Sequence, residues 1–487
     1  MYKRLVFYLL IALFLSDTVY SFFQHQAKSI DGDLAWNIVP ATDVQLILDR
    51  PFGFEALFDG EVYINPNRYF CHKSLQVYMR NMPLFLHRFV QPIDAPYLAA
   101  AIFKTVLQFA MILLLALGIY RINKGNKLTF AQSLALIFPF FQTNGYQNYM
   151  GIIDPTITYT FFYAFPLLLL LVYFYPLFKL NFAGNCFKQK GIVFLFWIPL
   201  ALIVSLSGAL NPGISLVISL LYIIHLFYKF KAEKENRSFW NWIIYILRNT
   251  NKIVWMILIP ISLFSLYSLY IGTYNLTSQF NDFSLLELYK RIPAGLFYLF
   301  TKKLGTPLLF TSLIINYLIL RKFYKNEILD RKWIQWTHYF LLFSVIYVFL
   351  LPLGGYRVYR ENVIRYDTFL PITIGSIFTY ALTSVVILNS IKKNKNLYLG
   401  FLVLIFFVFS FADSPKFNEN KLEKRALNEL VIAKDSPVKL KTDVVLFSWW
   451  KYAKPEESEL NARLIYYWNI TPKKVVYSNS VNNITSD

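Results

Sequence analysis

Ten apolar stretches, each near the roughly 20 residues that cross a bilayer as a helix, run through this chain. They fall at 5–23, 97–120, 156–178, 191–208, 213–230, 252–272, 306–321, 337–353, 368–391 and 396–412. An eleventh, 128–142, reads as a short or tilted span. The chain is 56% hydrophobic and only 16% charged, whereas globular domains carry about a quarter charged residues. The expected fold class is an all-α polytopic membrane protein of about eleven transmembrane helices. Tyr2-Lys3-Arg4 followed by Leu5 to Leu15 reads as an uncleaved signal anchor, because no A-x-A-like site follows.

The formal charge of +20 is first a matter of topology. With the N-terminus inside, the inner loops carry Lys3 and Arg4, then Arg121, Lys124 and Lys127, then Lys188 and Lys190. They continue with Lys229 to Lys252, Arg321 to Lys332, and Lys392, Lys393 and Lys395. Cytoplasmic loops are basic in this way, so the charge does not call for a nucleic-acid partner. The partner it implies is the lipid bilayer. The use of Lys, Asn, Phe, Tyr and Ile suggests an AT-rich bacterial genome, hence a bacterial cytoplasmic membrane with the N-terminus inside and the C-terminus outside.

The outer segments differ in kind. The first, 24–96, is far longer than an ordinary connection, and long loops of this sort are usually functional. The division expected is a transmembrane unit over 1–412, including that extracytoplasmic loop, and a small extracytoplasmic α/β domain over 413–487. Within the tail, Asp443 to Trp449 and Lys474 to Tyr477 are strand-like and Glu456 to Trp468 is helical. Ser284 to Arg291 and Phe239 to Leu247 have the pattern of interfacial amphipathic helices.

Three groups of residues can carry chemistry. Asp31-Gly32-Asp33 opens the long loop. Two carboxylates one residue apart project the same way from an extended backbone, and glycine between them permits a turn or a close approach. Such a pair takes a proton or seats a divalent cation such as Mg or Mn; the bland alternative is a solvated turn. In the late outer loop, Arg357, Arg360 and Arg365 fall within nine residues, flanked by Tyr356 and Tyr359. Guanidinium forks match phosphate oxygens, although an interfacial belt accounts for the same residues. Third, Asp154-Pro155 with Tyr146 and Asn148 just before it, and Asn65, Arg68 and His72 in the first loop, are polar groups suited to a sugar. An Asx turn at Asp154 and a fold-stabilising turn at Asn65 are the competing readings.

Together, the spans, the long first outer loop with its acidic pair, the late arginines and the outer tail resemble the GT-C superfamily of integral-membrane glycosyltransferases. Protein O-mannosyltransferases and aminoarabinose transferases belong to it. The resemblance covers the chain as architecture, with Asp31, Asp33 and Arg365-Tyr366 as its specific residues. It implies a polyprenyl-phosphate-linked sugar donor and a glycan, lipid or protein acceptor. It also implies Asp31 or Asp33 as catalytic base or metal ligand, with one or more of Arg357, Arg360 and Arg365 on the lipid phosphate. Only Asp154 stands where a second acidic pair is expected, which leaves metal dependence open. A transporter or flippase of a lipid-linked saccharide is the alternative, and Lys104 and His225 are its visible intramembrane ionisable residues. A polysaccharide polymerase is a further one, although its large outer loop usually comes late in the chain.

Overall fold

A computed structural model describes residues 2–123, 125–141, 150–182, 196–231, 239–279, 283–302, 304–323, 328–354, 362–391, 393–414 and 416–479. Helices dominate these residues, and seven are long and apolar enough to cross a membrane. An eighth candidate is a bent pair, Leu285–Thr301 and Gly305–Lys322, which meet at 87°. The protein is thus built as a multi-pass membrane protein. The eleven spans expected from sequence reduce on length to seven or eight plus shorter helices. Lys127–Phe141 and Lys395–Phe411 are apolar but short, and the stretch 191–208 supplies only Trp197–Ser205 among the described residues.

The span Tyr366–Ser390 is buried along 94% of its most apolar window, whereas Tyr2–Gln26 is buried along only 11%. The inner helix carries Thr373, Ser376, Thr379, Thr383 and Ser384, all buried. Small hydroxyl residues let helices approach closely in lipid and bond across the contact. Asn316 Nδ2 donates to Thr383 Oγ1 and Ser384 Oγ, both at 2.9 Å, and Tyr398 donates to Asn316 Oδ1 at 2.8 Å.

Residues 27–94 hold the helices Leu34–Ile38, Thr42–Asp49, Phe54–Phe58 and Tyr69–Leu86. The tail contributes Lys421–Ile432, Glu459–Tyr467 and a parallel strand pair, Val438–Leu440 with Tyr477–Asn479. Loop and tail share one apolar core. Leu34, Leu75 and Met79 pack with Leu427, Phe447, Leu464 and Trp468, and the Trp468 indole donates to the Met79 carbonyl at 2.8 Å. The tail is therefore not packed as a unit of its own, and the boundary at 412 divides chain segments rather than cores. Asn420 N–H donates to Ala27 O at 2.9 Å, so tail and loop lie at the same end of the helices. That requires an even number of crossings between them.

Asp443 to Trp449 is not a strand. Leu446 and Phe447 are both buried, which breaks the period of two, and Phe447 has φ +51°. Asn461 Nδ2 satisfies the carbonyls of both residues, at 3.1 and 2.8 Å, in place of a ladder. The second strand begins at Tyr477 rather than spanning 474–477. Both amphipathic segments are helical. Leu285–Thr301 begins with a Ser284–Glu287 capping box. Phe239–Asn249 turns Trp242 and Ile246 inward while Trp240, Ile244 and Leu247 stay exposed.

Candidate functional site

After the first helix ends at Gln26, Asp31 to Asp33 forms a turn rather than extended chain. The Asp33 N–H donates to Asp31 Oδ1 at 3.2 Å, and the Leu34 N–H to the Asp31 carbonyl at 3.3 Å. The two carboxylates consequently diverge instead of projecting together. Asp31 turns inward and is 5% exposed; its Oδ1 accepts from Thr158 Oγ1 at 2.7 Å and its Oδ2 from Thr158 N–H at 3.1 Å. Asp33 turns toward the tail, where Oδ1 accepts from the Trp449 indole at 2.8 Å. Gly32 serves the tail too, because a Cβ there would lie 2.6 Å from both the Ser448 carbonyl carbon and the Trp449 nitrogen.

A metal does not fit this pair as an expected cation seat. The carboxylates point apart, and among the described residues no three His, Cys, Asp or Glu side chains gather to hold an ion.

Thr158 sits on the short helix Ile157–Tyr159, which runs into a π-helical turn over Thr160–Ala164. Such turns widen a helix and are frequent at functional sites. Just ahead of it, Asp154 Oδ1 accepts from the N–H and Oγ1 of Thr156 at 2.8 and 2.7 Å. This is the Asx turn that competed with a binding role. The other oxygen faces the site, accepting from the Tyr366 hydroxyl at 3.0 Å. Tyr366 lies over Gly151, whose φ is +65° and whose added Cβ would meet the ring at 2.1 Å. Only glycine meets both demands there.

Lys104, fully buried in Ala95–Ile122, lends its charge to both acids while its Nζ donates to the Pro155 carbonyl. Burial raises the Asp31 carboxyl to about 6, opposed by the Thr158 bonds and the Lys104 charge, with Asp33 adding to the rise. Asp154 is raised as well, chiefly by burial, against its bonds from Thr156 and Tyr366 and the same Lys104 charge. Next to Tyr366, Arg365 grips Asp367 with a fork of two bonds, Nε to Oδ1 at 3.0 Å and Nη2 to Oδ2 at 2.7 Å. Its side chain is 22% exposed, and Nη1 is left over from that fork.

The remaining sequence candidates divide. His72 is buried and supports the turn indirectly: Nδ1 bonds Asn37 Oδ1 at 2.7 Å, and Asn37 Nδ2 donates to the Asp33 carbonyl at 2.7 Å. Asn65, at φ +50°, donates its N–H to Asn275 Oδ1 at 3.1 Å, and its carbonyl accepts from Arg68 N–H at 3.0 Å. Asn65 thus holds a turn of the fold, and Arg68 joins that turn through its backbone. Tyr146, Asn148, Tyr356, Arg357 and Arg360 lie outside the described residues. Thr158 carried no sequence signal, and Trp449 was legible only as the end of a strand-like segment. Lys104 carried a signal, an ionisable residue inside a span.

The turn is clamped from the tail by Glu423, which accepts from Ile30 N–H at 3.0 Å and from the Tyr97 hydroxyl at 3.1 Å. Burial raises this carboxyl from 4.5 to about 8. Between those limits the folded protein holds a proton that the free chain has lost, so the clamp weakens as pH rises through the window. Asp413, raised to about 7 by burial, acts in the same direction. Glu423→Gln is expected to hold the tail against protease better than wild type at pH 8 and to differ little near pH 5. An identical pH response in both proteins would remove Glu423 as the titrating group.

Comparison with protein-family models, with curated proteins and with solved structures gives no match.

Proposed function

We propose that this protein is a membrane glycosyltransferase that moves a sugar from a polyprenyl-phosphate donor to an acceptor hydroxyl at the extracytoplasmic face. The observation that carries the reading is the convergence of Asp31, Thr158, Lys104, Asp154 and Tyr366 at one end of the helices, next to Arg365. Of the two loop carboxylates, Asp31 is the better base. It faces this cluster, whereas Asp33 faces the tail. A carboxyl held at about 6 is ionised at neutral pH yet basic enough to accept a proton as a hydroxyl attacks.

In the reaction the acceptor oxygen bonds to the anomeric carbon and its proton passes to Asp31. The bond from that carbon to the phosphate oxygen breaks, and the electron pair leaves on the polyprenyl phosphate. Arg365, aimed by Asp367 and retaining Nη1, stabilises that developing charge. The test is to reconstitute the protein in liposomes with synthetic polyprenyl-phosphate hexoses and measure free polyprenyl phosphate. No release from any hexose in the presence of sugar and peptide acceptors would sink the reading. Lys104 favours the second reading, a transporter of a lipid-linked saccharide, which would move the intact donor across the bilayer without releasing phosphate.

Arg365→Gln is expected to raise the donor KM about tenfold or more, the worth of a charge-assisted bond. Arg365→Lys recovers only part of the loss, since it keeps the charge without the fork. An unchanged donor KM in Arg365→Gln would remove Arg365 from the phosphate site.

A further inference from the structure

Asp33 is a carboxylate beside the reacting cluster that the proposed chemistry does not use. Its partner, Trp449, comes from 416 residues away and is 48% exposed, with Trp450 next to it 64% exposed. Two exposed indoles side by side make an apolar patch, and such patches mark interaction sites. Three contacts fix this ring in place. Asp33 holds its N–H at 2.8 Å, Gly32 admits the Trp449 backbone against the turn, and Tyr159 lies 6.3 Å away at an interplanar angle of 26°. Tyr159 adjoins Thr158, the donor to Asp31. A small cleft lined by Phe162, Tyr163, Asn211, Leu370 and Pro371 has a volume of about 10 Å³. That is room for about one water and none for a hexose.

We infer that Trp449, held by Asp33 and set beside Tyr159, is an aromatic shelf for the apolar face of a pyranose ring. The inference rests on the proposed glycosyl transfer and names where the sugar sits. A pyranose presents a patch of C–H groups to a flat ring and hydroxyls around its edge. The near-parallel Trp449 and Tyr159 rings suit the first, and the Asp33 carboxylate, whose Oδ1 alone is engaged by Trp449, suits the second.

The experiment is saturation-transfer NMR on the full-length protein in nanodiscs with methyl α-mannopyranoside, methyl β-glucopyranoside and methyl β-galactopyranoside, with no donor present. It therefore reads binding even if transfer is never observed. Saturation of ring C–H protons is expected for at least one of the three. It falls by about fivefold or more in Trp449→Ala and is largely kept in Trp449→Phe. Asp33→Asn, which leaves the ring present but loosens its anchor, falls between the two. If a farnesyl-phosphate hexose displaces the methyl glycoside, the shelf holds the donor's sugar; if both bind together, it holds the acceptor's. The shelf is overturned by no saturation of any glycoside in wild type. It is equally overturned by undiminished saturation in Trp449→Ala, which would leave Trp449 as a clasp between tail and loop.

Discussion

On the proposed glycosyl transfer, Asp31→Asn is expected to lower the rate of sugar transfer by about 10²–10⁴-fold, the range for removing a general base, while the protein stays inserted and its tail stays docked. The amide preserves the acceptor oxygen for one Thr158 donor but has no lone pair basic enough to take the hydroxyl proton. The pH profile sharpens the test. A base must be ionised to act, so wild-type kcat/KM rises with pH through about 6, where burial holds the Asp31 carboxyl. The residual activity of Asp31→Asn has no such limb. Asp33→Asn keeps the limb, because its carboxylate faces Trp449 rather than the cluster. Full activity in Asp31→Asn, or a limb that persists there, would move the base elsewhere. The polyprenyl-phosphate assay in liposomes reads both quantities, and size-exclusion behaviour separates lost chemistry from lost folding.

How far these residues were legible depends on how local their signals are. Span positions and amphipathic helices follow from apolar run length and a 3.6-residue period, which need no partner; 252–272 and Lys252–Gly272 coincide. Asp31 and Asp154 each stand out by local chemistry, as acids beside glycine or proline at the ends of spans. What joins them is not local. Thr158 reaches Asp31 across 127 residues and Tyr366 reaches Asp154 across 212, and nothing local in the sequence says which acid either one meets. The tail shows the same limit from the other direction. Asp443 to Trp449 has strand-like composition, but Asn461 and Tyr477 take the Leu446 carbonyl that a neighbouring strand would use. The Asp31–Asp33 pair was misjudged in direction for a related reason. The spacing of two assumes extended chain, whereas the turn that Gly32 permits against Trp449 sends the carboxylates apart.

Lys104→Met is expected to destabilise the protein by about 1–3 kcal/mol, the cost of leaving the buried Pro155 carbonyl without its donor. The ammonium is the cation acting on both Asp31 and Asp154, and its Nζ also satisfies the Pro155 carbonyl. Methionine matches the length and apolar body of lysine, so the loss isolates charge and hydrogen bonding from packing. Adding Asp154→Asn to Lys104→Met neutralises one of the two carboxylates left without their cation, and stability recovers in part. Asp154→Asn alone is destabilising, since it weakens the acceptor for Tyr366 and Thr156. Thermal melting of fluorescent fusions in detergent measures all three proteins. Simple addition of the two single-variant losses in the double variant would show that Lys104 and Asp154 do not act on one another. The same substitution carries a kinetic signature in whatever fraction folds. Lys104 favours the ionised form of Asp31, so its removal pushes that carboxyl above its present value near 6. The acid limb of the transfer rate then moves to higher pH in Lys104→Met. A limb that stays in place while stability falls would make Lys104 a brace of the fold alone.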